Sequence, residues 1–251
     1  MNNFAKESTH WYRPDGSPAY TVPRADGKGE RNTTLRDARK LGLLPSVTTI
    51  IRCAAAPGLE RYRYKSLGLA LLTLPRLPDE SEDAFLIRAE RDAAEHAKQA
   101  AERGTAIHGA VERFYRQQAI SRYYDEFVFW IDAVANTIDP ICGDQEWSAE
   151  RSFATDAYGG KVDLHSDGWL LDVKTKDGPL DDQTLCDEQI MQLAAYRYGL
   201  GIYQARCGIV FVRRDAPEAR FVEAEPADLE KGWEMFKSLL NYWQTKTGHR
   251  P

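Results

Sequence analysis

Residues 146–176 read EWSAERSFATDAYGGKVDLHSDGWLLDVKTK and constrain the fold more than any other stretch. Side chains alternate in character along EWSAERSFA, GGKVDLHSD and WLLDVKTK, and the turn formers TDAYGG and SDG separate the three runs. Alternation at period two belongs to β-strands, and so short a turn joins neighbouring antiparallel strands. This meander is expected to form the centre of a sheet. On both sides of it the period lengthens to that of a helix.

Upstream, residues 83–119 are Ala-rich, laced with charge and free of Pro, which predicts a long helix broken near Gly104; a second helix is expected over 121–138, closed by DPICGD. Downstream a helix is expected over 184–199, a buried strand over 205–213, another strand over 219–225 and an amphipathic helix over 226–246. In that last helix Trp233, Phe236, Leu239, Leu240 and Trp243 share the apolar side. Strands bracketed by helices in this order predict an α/β fold with a mixed central sheet flanked by helices. Residues 81–251 are assigned to this core, and residues 1–80 to an N-terminal arm of hairpin and helices. Within the arm, PDGSP marks a turn at Pro14–Pro18, Thr34 and Ser46 are candidate helix caps, Gly42 and Pro45 end the first helix, and residues 57–73 read as helical. Ser81 to Ala84 forms a further capping pattern.

The chain has a net charge of −5, yet the charge is unevenly placed: residues 1–65 carry 12 Lys and Arg against 6 Asp and Glu. A basic arm therefore precedes an acidic body, a distribution compatible with a polyanionic partner when the carboxylates gather around cations. No apolar run approaches the roughly eighteen residues of a membrane span, and no export signal is seen near the start, so a cytoplasmic protein without membrane contact is expected. Cys53, Cys142, Cys186 and Cys207 are scattered with no CxxC pair, which argues against zinc and disulfide frameworks.

The meander also carries the chemistry. Asp163 and Asp172 lie on adjacent strands about a tight turn, so their carboxylates are expected side by side. Lys174, two residues beyond Asp172, shares its face. Two acids and a lysine among Leu164, Leu170, Leu171 and Val173 are costly to bury without a cation, and hard divalent ions take carboxylate and carbonyl oxygens. Upstream, His108 and Glu112 share a helix face, as do Gln192 and Tyr196 downstream.

In order, Gly104–His108 (GTAIH), Gly160–Asp163, Asp172–Val173–Lys174 and Gln192–Tyr196 resemble the motif series of the RecB-like branch of the PD-(D/E)xK nuclease superfamily. LGLLPSVTTII, residues 41–51, is similar to the arm ahead of this core in phage-type and mitochondrial genome-maintenance-type exonucleases. The resemblance implies a restriction-endonuclease-like core and a deoxyribonuclease using Mg²⁺ or Mn²⁺. His108, Asp163, Asp172 and the Val173 carbonyl would be ligands, and Lys174 would position and help deprotonate the attacking water, with a depressed pKa. Gln192 and Tyr196 would orient the DNA strand or Lys174; Glu150 and Glu112 would be supporting acids. Relatives with an iron–sulfur cluster carry one Cys before the His motif and a tight trio after the Gln–Tyr motif; here only Cys53 and Cys207 lie in those regions, so no cluster is expected.

Arg52, Arg61, Arg63 and Lys65, with Tyr62 and Tyr64 interleaved, suit phosphates and unpaired bases, and Ser46, Thr48 and Thr49 are candidate phosphate donors. The expected activity is exonucleolytic attack on single-stranded DNA ends in recombination, repair or replication, with a protein partner from those processes. The alternatives are a structure- or sequence-specific endonuclease on the same fold and a non-catalytic DNA-binding or assembly protein.

Overall fold

A computed structural model describes residues 10–116 and 126–251 of the chain. The meander folds as read: β5 (Ser148–Ala154), β6 (Gly159–His165) and β7 (Trp169–Lys176) are antiparallel neighbours. After β7 the chain crosses over through α6 (Asp187–Gly199) and returns as β8 (Arg206–Arg213), parallel to β7; β9 (Ala219–Glu223) then pairs antiparallel with β8. The five-stranded sheet has the order β5-β6-β7-β8-β9 and is mixed in direction.

Each face of the sheet is covered. On one side α4 (Glu82–Tyr115) and α5 (Val128–Cys142) pack Ile107, Val111, Ile131 and Ile138 against Leu164, Leu171, Val173 and Val210. On the other, α6 and α7 (Pro226–Thr247) pack Leu193, Ala194 and Phe236 against Val162, Leu170, Ile209 and Phe211. The period-two alternation of β7 sorts its residues between these clusters, which fixes the register of the strand. Among the described residues no helix is long and apolar enough to cross a membrane.

The arm joins the second face. Its strands β1 (Trp11–Tyr12) and β4 (Leu44–Pro45) pair with each other, and β2 (Thr21–Pro23) pairs with β3 (Glu30–Asn32). The turn after β1 closes through Arg13 N–H to Ser17 O at 2.8 Å, with Gly16 at φ 85°. The hairpin expected around the Pro14–Pro18 turn is thus cut short: Trp11 and Tyr12 take Pro45 and Leu44 as strand partners. Helix α1 (Leu35–Leu41) starts in a Thr34–Asp37 capping box and ends at Gly42 in the left-handed region; α2 (Val47–Ile51) is capped by Ser46. Trp11, Leu43, Val47 and Ile50 lie in the same buried cluster as Met191, Phe236 and Trp243. Helix α3 (Pro57–Thr73) then packs along the first half of α4.

Two helix expectations are corrected. Helix α4 passes through Gly104 without a break. That glycine is there for close approach: a Cβ would sit 2.6 Å from Thr175 Oγ1, so the missing side chain lets α4 lie on β7. Helix α5 continues through Pro140 to Cys142 and closes at Gly143, because a proline so near the end removes little of the hydrogen-bond ladder. The helical expectations over 117–119 and 121–125 lie outside the described residues.

Candidate functional site

The β6–β7 ladder is short. Its pairs are His165 with Leu170 and Leu164 with Leu171, and beyond them the strands open. Asp163 and Asp172 stand at that opening. The Asp163 carboxylate accepts the Val173 N–H at 2.7 Å, taking the place of a main-chain partner. It also lies 3.7 Å from His108 Nδ1, which α4 brings over the strand four residues after the Gly104 contact. Asp163 is 18% exposed and His108 32%.

Asp172 points into a different surrounding. Its side chain is 3% exposed; Oδ2 faces the Lys174 ammonium at 2.5 Å, and Oδ1 accepts a hydrogen bond from Gln192 Nε2 at 2.8 Å. The same Gln192 amide donates to Tyr196 Oη at 2.9 Å, so both of its hydrogens are used and its orientation is set. Helix α6 supplies Gln192 and Tyr196 because residues 189–196 are buried on every side.

Charge follows from this packing. Burial pushes the Asp172 carboxyl above the ordinary carboxylate range; Lys174 opposes the shift and the nearby Asp163 charge adds to it. For Lys174 burial works downward, but the carboxylates of Asp172 and Asp163 outweigh it and the ammonium ends above its usual value. The expected depression is that of a lysine beside a bound metal ion. With no added cation in the cluster, the lysine is the counter-charge to two acids and holds its proton. Burial raises the Tyr196 phenol well above its usual range, with Asp172 and Asp163 adding to the effect, so the ring stays neutral.

A small cavity of about 10 Å³, near the size of one water, is lined by His108, Glu112, Glu150, Asp163 and Val173 among others. Glu150 reaches it from an unusual backbone: its φ is 56°, and it falls between the β5–β6 pairs Ala149–Leu164 and Arg151–Val162. The local kink turns its carboxylate inward, where it forms an ion pair with Lys161. Glu112 pairs with Arg116 at 2.7 Å, one turn further along α4. Lys161 was not singled out in the sequence; it lies two residues before Asp163 on β6 and meets Glu150 from there.

His108, Glu112, Glu150, Asp163, Asp172, Val173, Lys174, Gln192 and Tyr196 are thus brought to one place by α4, β5, β6, β7 and α6. They do not form a ready cage: among the described residues no group of three His, Cys, Asp or Glu has the closeness to hold a metal ion. By chemistry the set still fits a hard divalent cation, since Asp163 and Asp172 offer oxygens and His108 an imidazole. Asp172 Oδ2 is buried without a directed hydrogen bond, opposed only by the ammonium.

The arm residues divide. Ser46 and Thr49 are buried, and their hydroxyls bond each other at 2.8 Å while Ser46 Oγ caps α2. This corrects their reading as phosphate donors. Thr48 is partly buried, 3.1 Å from Ser46 Oγ. Arg52, Arg61, Arg63 and Lys65 are exposed. Lys65 and Tyr62 face a groove of about 770 Å³ between α3 and α4, lined also by Arg103 of α4, by Lys176 and Arg214 at the ends of β7 and β8, and by Asp92, Asp177 and Asp215. Arg61 and Arg63 do not line it, and Tyr64 is 76% exposed. Cys142 and Cys207 are buried, Cys53 partly so, and Cys186 is exposed at the start of α6.

No protein-family model matches this chain, and no curated protein does. Among solved structures it is similar to that of SSO0001, at 15% identity over 73% of this chain and 86% of the other, with a TM-score of 0.25. At that score the likeness bears on neither fold nor function.

Proposed function

We propose that this chain is a metal-dependent deoxyribonuclease of the RecB-like PD-(D/E)xK type, built on a restriction-endonuclease-like core and acting as an exonuclease on single-stranded DNA ends. The observation that carries this reading is the meeting of the four sequence motifs. His108 reaches Asp163 from α4, while Lys174 and Gln192 close on Asp172 from β7 and α6. A structural salt-bridge ladder needs no imidazole from one side of the sheet and no doubly bonded glutamine from the other.

His108, Asp163, Asp172 and the Val173 carbonyl would hold Mg²⁺ or Mn²⁺, which when bound supplies a water of lowered pKa and charge stabilisation at the phosphate. The chain does the rest. Gln192 fixes the Asp172 carboxylate through Oδ1, while Oδ2 is buried against the Lys174 ammonium. Lys174, whose Nζ meets Asp172 Oδ2, is placed to steady the attacking oxygen and the charge that grows on the phosphate. Tyr196, neutral and held by Gln192, walls the acid from solvent. The groove by Lys176 offers Lys65, Arg103 and Tyr62 to a single strand, alongside the acids Asp92, Asp177 and Asp215.

The test is digestion of end-labelled linear and circular single-stranded DNA with Mg²⁺ or Mn²⁺. Linear DNA is expected to shorten from an end while the circle survives. Cleavage of the circle would mean an endonuclease, and no cleavage of either would remove the enzymatic reading.

A further inference from the structure

On the arm side of the site, His10 and Tyr20 stack with ring centroids 4.5 Å apart and planes 27° from parallel. The pair is firmly mounted. The Tyr20 hydroxyl bonds that of Tyr12 at 2.7 Å, and the Tyr12 ring packs so closely on β6 that a Cβ at Gly159 would lie 2.7 Å from it. The His10 carbonyl accepts the Ser46 N–H at 3.0 Å, and Ser46 in turn bridges to Gly159. Both stacked rings keep part of their surface open to solvent.

Two cations stand beside them. Arg52, at the end of α2, is exposed, and the Lys161 side chain is 37% exposed. Burial, with the positive charges of Arg52 and Lys161 bearing on the ring, holds the His10 imidazole below its ordinary pKa. The stacked pair is thus neutral and flat, with positive charge alongside. Lys161 connects it to the site: it forms an ion pair with Glu150, which lines the same small cavity as Asp163 and His108. From Gly159, against Tyr12, to Asp163 is four residues of strand, roughly 13 Å. The α3–α4 groove lies at the ends of β7 and β8, and β6 runs antiparallel to β7, so the start of β6, where the stacked pair is mounted, lies at the same end of the sheet as the groove. Behind the pair the buried residues Trp11, Tyr12, Leu44 and Ser46 form a wall.

Resting on the deoxyribonuclease reading, we infer that His10 and Tyr20 form a stacking platform for the unpaired terminal nucleotide of the strand, with Arg52 and Lys161 holding its phosphate. A strand lying in the groove along this end of the sheet meets the arm here. An aromatic surface takes any base, and an ammonium and a guanidinium take any phosphate, so the platform reads an end rather than a sequence.

The test uses full-length protein in EDTA and a short oligothymidylate carrying 2-aminopurine at the 5′ end, at the 3′ end or in the middle. Binding is expected to quench the probe at one end only. Tyr20→Leu and His10→Ala are each expected to weaken binding roughly tenfold and abolish the quench. Tyr20→Phe, which keeps the ring, retains the quench, and thermal melting of each variant reports its folding. Arg52→Gln lowers the slope of log affinity against log salt by about one phosphate contact. Wild-type binding and quenching that persist in folded His10→Ala and Tyr20→Leu proteins overturn the platform and leave the nuclease reading untouched. A wild-type protein that neither binds the oligonucleotide nor cleaves DNA with metal overturns both.

Discussion

Asp163 and Asp172 are adjacent acids on paired strands, yet they sit in opposite environments. Asp163 is part-exposed, bonded to a main-chain N–H and faced by an imidazole. Asp172 is buried, held by an amide on one oxygen and an ammonium on the other. The first is placed to trade its partners for a ligand with little disturbance. The second is part of the packing between β7 and α6, so changes there act on stability as well as on chemistry. One cluster thus combines a rigid, partnered half with a half that opens onto a cavity.

The sharpest way to break this contrast is Lys174→Ala. Loss of the ammonium is expected to lower the cleavage rate by about a hundredfold to a thousandfold, with DNA affinity largely kept, as read from single-turnover digestion beside anisotropy. A variant that cleaves at the wild-type rate would return Lys174 to a purely structural part. Next is Gln192→Ala, which strips the buried Asp172 oxygen of its donor and leaves a gap in α6. A loss of about 1–3 kcal/mol in denaturant unfolding is expected. A loss well under that range would mean that Asp172 is less dependent on its partners than its burial implies.

Acidity sharpens the same comparison. Because its folded pKa is raised, Asp172 contributes to metal-free stability below the ordinary aspartate range and loses that contribution as pH rises through the raised value. A cation binds the ionised form. The rise in melting temperature produced by Mn²⁺ should therefore shrink as pH falls from roughly 7 to 5. A gain that stays level across that window would separate the metal from Asp172. The smallest effect is expected at Ser46→Ala: about 1 kcal/mol of stability through the lost cap, with unchanged affinity for DNA, since this hydroxyl is buried in the arm.

Much of this was legible in the sequence, and the limits are physical. Asp163, Asp172 and Lys174 could be placed because β7 alternates regularly and the SDG turn sets the register against β6. His108 and Gln192 could be added because their motifs occur in order. Gly104 was misread as a break, since its close contact is with Thr175, far along the chain. Ser46 and Thr49 carry the residue types of a phosphate site, and only burial shows that their hydroxyls are used internally. The Lys174 shift was anticipated with a metal beside it; with the acids alone, the balance of burial and charge has the other sign. Lys161, His10 and Tyr20 gave no local signal as a group, because the arm and β6 meet only through the fold.

The most direct measurement is a calorimetric Mn²⁺ titration of wild-type protein, Asp163→Ala and Asp172→Ala, each checked for folding by circular dichroism. The account predicts saturable binding to wild type, lost in both folded variants. Binding that survives both substitutions, or none in the wild type, would contradict the claim that these two carboxylates meet around a divalent cation.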